Sequence, residues 1–176
     1  LVKRWRMADK STLVGHVAAG AIFSYGNAQS APYYEQFYVG GANSVRAFNV
    51  RSIGPGRYHP ANSKLSYIEQ TGDVKLLANL EYRQQLWGSL YGALFVDAGN
   101  VWALRDSKER PGSKFEFKNC LQQVAVGTGA GLRYDVGIFV LRVDWGIGLH
   151  VPYDTGRSGF YNIRHFSDAQ SLHVAV

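Results

Sequence analysis

The chain has 176 residues, a formal net charge of +6, 14% aromatics, 20 glycines and only 18% charged residues. That length suits one domain with a sizeable core, and abundant glycine and aromatics beside a single Met and a single Cys point to an all-β fold. The lone cysteine, Cys120, excludes an internal disulfide, no run of about five basic residues marks a nucleic-acid groove, and no stretch of roughly 18 apolar residues predicts a membrane-spanning helix. No signal peptide is visible. The opening "LVKRWRM" and the closing "SLHVAV" both read as interrupted strands, so the chain is expected to be a piece of a longer protein.

The dominant pattern is period 2, the signature of strands with two unlike faces. Residues 1–7 read as the end of a strand. In 11–25, Leu13, Val17, Ala19, Ala21, Phe23 and Tyr25 oppose Thr12, His16 and Ser24, with Val14 and Ile22 as exceptions. A long segment, 27–74, follows with little alternation. In 75–87, Leu76, Ala78, Leu80, Tyr82 and Leu86 oppose Asn79, Glu81, Arg83 and Gln85. In 90–102, Leu90, Leu94, Val96, Ala98 and Trp102 oppose Tyr91, Phe95, Asp97 and Gly99. In 122–136, an apolar set from Val124 to Val136 opposes Gln123, Ala125, Gly127, Gly129, Gly131, Arg133 and Asp135. In 138–150, Phe139, Leu141, Val143, Trp145, Ile147 and Leu149 oppose a face carrying Arg142, Asp144, Gly146, Gly148 and His150. A last strand begins at Ser171.

Each run reaches about a dozen residues, longer than the five or six usual in soluble sheets and suited to a tilted strand crossing a bilayer. Tyr25, Trp87, Trp102 and Tyr134 fall near strand ends, as an interfacial girdle would require. The connections alternate. "ADKS", "WGS" and "DVG" are short, whereas 27–74, "ALRDSKERPGSKFEFKNCLQ" and "HVPYDTGRSGFYNIRHFSDAQ" are long. Membrane barrels have this asymmetry of long outer loops and short periplasmic turns. A soluble sandwich or lipocalin-like barrel would use the same alternation with its apolar face turned inward.

"GTGAG" at 127–131 lacks the strand-to-helix setting and the Lys-Ser/Thr ending of a phosphate loop, so it reads as inward glycine on a curved strand. The polar-face charges Glu81, Arg83, Asp97, Arg133, Asp135, Arg142 and Asp144 read as lumen pairs rather than a catalytic set. The histidines His16, His59, His150, His165 and His173 have no metal-ligand spacing. No metal, cofactor or catalytic residue is therefore predicted. The 27–74 segment, with Tyr33, Tyr34, Phe37, Tyr38, Val39, Phe48, Val50, Ile53 and Tyr58, is too apolar for a solvated tail and needs a wall to pack against.

"GGANSVRAFNVRSIGPG", "NLEYRQQLWGSLYGALFVDAGNVW" and "VGTGAGLRYDVGIFVLRVDWGIGLHVP", in that order, resemble the C-terminal barrel half of the BamA/TamA superfamily of outer-membrane insertases (the bacterial surface antigen domain), with a loop spelling similar to that of Bacteroidetes-type bacteria. The resemblance covers roughly residues 10–176. It implies a transmembrane antiparallel barrel of about sixteen strands, of which this chain supplies the last six or seven, with upstream strands and periplasmic repeats lying outside it. It implies that 27–74 folds into the lumen with Val45, Arg46, Ala47 and Phe48 at its tip. Arg46 would then pair with the wall acids Glu81 and Asp97, supported by Arg83, Arg133, Arg142 and Asp144. The family usually has Gly where Ala47 stands. The implied function is insertion of outer-membrane proteins without a chemical step or cofactor, in the bacterial outer membrane. Its partners would be unfolded substrate proteins, accessory lipoproteins or a periplasm-spanning partner, and the lipid bilayer, with no nucleic acid. Related alternatives are a two-partner-secretion translocation barrel or the membrane anchor of an upstream lipase-like domain.

Overall fold

The computed structural model describes residues 1–26, 31–60 and 69–176, apart from the side chain of Asp168. Seven strands form one sheet in sequence order: β1 (Val2–Ala8), β2 (Ser11–Ala21), β3 (Val74–Trp87), β4 (Leu90–Trp102), β5 (Ala125–Asp135), β6 (Val140–His150) and β7 (Gln170–Ala175). Every neighbouring pair is antiparallel. An 11-residue strand rises about 36 Å, and a tilt near 40° brings that to about 28 Å, close to the apolar band of an outer-membrane barrel. The sheet is open, with β1 and β7 at its edges.

The register sorts the two faces. Leu13, Tyr82, Leu94, Ala130, Trp145 and Leu172 stand in one row across six strands. On this face Leu94 is 61% exposed and Leu172 68%. A second row runs Asn79, Asp97, Gly127, Gly148, and here Asp97 is wholly buried. The apolar face therefore points outward and the charged face inward, the reverse of a soluble sandwich or lipocalin-like barrel. Parity alone leaves that choice open.

The segment between β2 and β3 lies against the inner face. Its ingoing and outgoing limbs bridge at Val39 and Ile53, and Phe37 bridges to Gly72 just before β3. Gly40 has φ of 104°, and a Cβ there would lie 1.9 Å from the Asn49 carbonyl oxygen, so only glycine fits this crossing. Val39, Val45, Ala47, Phe48 and Ile53 are buried with Leu77, Val101, Ala125, Val151, Ile163 and Ala169. The main hydrophobic core is thus built between the folded-in loop, the wall and the 151–169 connection. Tyr34, Tyr38 and Val50, also expected to pack, are exposed. Positions 27–30 and 61–68 of the loop lie outside the described residues.

Other expectations need correction. β2 ends at Ala21, so Ile22–Tyr25 are not strand, and residues 122–123 belong to a 3-10 turn, Cys120–Gln123, that precedes β5. Trp102 belongs to no exposed girdle, because it is fully buried. The 103–124 connection folds back over it, with Gln123 Oε1 accepting from the indole at 2.8 Å and Phe115 edge-on at 5.4 Å. Val74 and Cys120 complete this second cluster. Tyr25, Trp87 and Tyr134 do remain exposed.

Candidate functional site

The tip of the loop sits on the middle of the inner wall. Arg46 is 4% exposed, and all three nitrogens of its guanidinium donate to two carboxylates. Nε donates to Asp97 Oδ2 at 2.8 Å, Nη2 donates to Asp97 Oδ1 at 2.8 Å, and Nη1 donates to Glu81 Oε2. The Arg46 backbone N–H also donates to Asp97 Oδ2, at 3.0 Å. The Phe95 ring covers one guanidinium face, with Cζ 3.7 Å from its centroid. A planar, permanently charged fork suits this bidentate seat, which a lysine could not fill.

The pairing continues along the wall. Glu81 also accepts from Arg133 Nη2 at 3.0 Å, and Arg133 Nη2 lies 2.6 Å from Asp144 Oδ1. Arg83 Nε reaches the other Glu81 oxygen at 2.5 Å. Three guanidiniums, Arg46, Arg83 and Arg133, thus meet three carboxylates, Glu81, Asp97 and Asp144, across β3 to β6. Each carboxylate thus has a guanidinium neighbour, which limits the cost of desolvating it, although Asp144 Oδ2 and Arg133 Nε are buried without a hydrogen-bond partner among the described residues. Arg142 stands apart: it donates to the Ala42 carbonyl at 3.0 Å and to the Asn43 side chain, holding the loop just before its tip. Asp135 is not part of the set. It is exposed and accepts from the Gly137 N–H at 2.8 Å in the β5–β6 turn.

Two participants were not singled out from sequence. Asn79 donates to both the Ser44 carbonyl and Asp97 Oδ1, each at 2.8 Å, which fixes its amide orientation. Its oxygen then takes the proton of His16 Nδ1 at 2.9 Å. Phe95 is the other. Both share the inward parity of Glu81 and Asp97, which is the signal that could have found them. His59 stacks on Tyr153 at 3.9 Å, and burial holds its pKa below the usual imidazole range. His150 stacks on Phe160. The His150 Nδ1 also lies 2.8 Å from the Phe160 carbonyl oxygen, to which it can donate.

The inward glycines are the floor on which the tip rests. A Cβ on Gly127 would lie 2.2 Å from the Ala47 Cβ, and one on Gly146 would lie 2.4 Å from the Arg46 carbonyl oxygen. On Gly148 it would meet the Phe48 ring at 2.8 Å. Val45, Ala47 and Phe48 are buried in this seat. Ala47 needs no left-handed backbone, since Arg51, at φ of 56°, is the non-glycine with positive φ among the described residues. The Ala47 methyl fills the space that Gly127 leaves.

A curved wall that is apolar outside, charged inside and filled by an inserted loop defines a transmembrane β-barrel. The chain belongs to the Omp85 superfamily, whose domain matches residues 2–162. It is 33% identical over 88 residues to the outer membrane protein assembly factor BamA of Neisseria meningitidis serogroup B, covering 47% of this chain and 11% of that one. It is 32% identical over 156 residues to the protein of the same name from Nitratidesulfovibrio vulgaris, covering 88% of this chain and 17% of the relative. The chain thus spans less than a fifth of either relative. The crystal structure of Haemophilus ducreyi BamA lacking POTRA domains 1–3 shares the fold, with a TM-score of 0.64 at 18% identity, over 99% of this chain and 33% of that one.

Proposed function

We propose that this chain is the C-terminal part of the barrel of an outer-membrane protein assembly factor, residing in the bacterial outer membrane and acting without a chemical step. Its substrates would be unfolded outer-membrane proteins, and the whole protein would work with accessory lipoproteins or a periplasm-spanning partner. The observation that carries the reading is the Arg46 tip seated on Glu81 and Asp97, in a family whose curated relatives are named for barrel assembly. The role assigned to that tip is to brace the wall while the sheet edge works. β7 pairs with only Arg142–Ile147 of β6, and its other edge has no strand partner among the described residues. Such an edge can template an incoming strand through backbone hydrogen bonds.

The test uses the full-length protein in lipid vesicles with an unfolded test barrel, whose folding is followed by its shift in gel mobility. Acceleration by the wild type and its loss in Arg46→Glu support the reading. A wild-type protein that leaves the folding rate unchanged, or that only passes a soluble client across the membrane, overturns it.

A further inference from the structure

We infer that Ser171 is a positioning residue through which the loop tip latches β7 to the wall. The consequence for assembly rests on the reading above, but the latch itself stands on geometry. Ser171 Oγ donates to the Arg46 carbonyl oxygen at 2.6 Å, across 125 residues of sequence. His173 Nε2 lies 3.0 Å from the same Oγ. The hydroxyl has one proton and gives it to the carbonyl, so the imidazole must donate, and the chain runs His173 to Ser171 to Arg46. Both the neutral Nε2–H tautomer and the imidazolium satisfy it.

The neighbours are shaped for this contact. Ser171 faces Gly146 on β6, and the missing Gly146 side chain is what lets the Arg46 carbonyl reach the wall. Ala169, just before β7, packs with Phe48 in the main core. β7 has six residues against eleven in β6, so its hold on the sheet is short and the tip contact adds to it. Its outward residues, Leu172 and Val174, face lipid and add no contact to the loop. The Arg46 side chain thus ties the tip to β3 and β4, while its carbonyl ties the same tip to β7. A shift of the tip would release the strand at the working edge.

Hydrogen exchange of the full-length protein in lipid nanodiscs tests this. Ser171→Ala should speed exchange of the Gln170–Ala175 amides by about threefold to tenfold, leave β3 and β4 unchanged, and be reversed by Ser171→Thr, which keeps the hydroxyl. Gly146→Ala should have the same effect by pushing the Arg46 carbonyl away. Exchange of β7 within twofold of wild type in both variants, or faster exchange that Thr does not reverse, overturns the latch. If the wild-type protein fails to accelerate barrel folding, the assembly reading falls and the exchange result still decides the latch.

Discussion

Arg46 is a buried cation held by two carboxylates, its side chain 5% exposed between Glu81 and Asp97. Arg46→Glu would bury three like charges within one seat. The loss of a buried partner is expected to cost about 3–5 kcal/mol, read as a lower denaturant midpoint of the barrel in lipid. Arg46→Lys keeps the charge but cannot reach Asp97 with two parallel donors and Glu81 with a third. It should fall between wild type and the glutamate variant in the same titration. Equal stability of the lysine variant and wild type would show that charge alone, not the fork, holds the tip.

At the scale of elements, the loop and the wall meet through complementary sizes. Gly127 and Ala47 share one methyl's worth of space. Gly127→Ala should destabilise by about 1–3 kcal/mol through overpacking, and Ala47→Gly in the same molecule should recover most of that loss. Thermal gel-shift midpoints of the two single variants and the double variant would decide it, because additive losses would place the two residues in separate seats. The same contact accounts for Gly127 on β5 and for Gly146 and Gly148 on β6, whereas Gly129 and Gly131 make room for wall atoms, Phe95 and the Trp145 carbonyl in one case and Asp144 and Arg133 in the other. Curvature alone would explain glycine there, whereas the docked loop explains why Gly127, Gly146 and Gly148 each face a particular tip atom.

For the whole molecule, the outward apolar face makes a prediction opposite to that for a soluble protein. Leu94, at 61% exposure in the middle of the outer row, would tolerate arginine in water with little change. In a bilayer, Leu94→Arg should cost about 2–4 kcal/mol, measured by urea titration of the vesicle-embedded barrel. A cost near zero would mean that this face meets water.

Strand existence, parity and the alternation of long and short connections were legible in the sequence, because period 2 and turn residues are local properties. Glu81 and Asp97 were legible as inward-facing by parity, and Arg46 as a loop tip through its family spelling. Strand ends were less so: Phe23 and Tyr25 continue the alternation after backbone pairing stops at Ala21. Trp102 looked like a membrane-edge aromatic, and only the fold-back of the 103–124 connection buries it. The sequence by itself thus determined which residues share a face. Tertiary structure alone decided which face is inside, what the inward glycines receive, and that Ser171 meets Arg46 across 125 residues. The physical reason is that alternation is symmetric under exchange of the two faces, and only the packing of a distant loop against one of them breaks that symmetry.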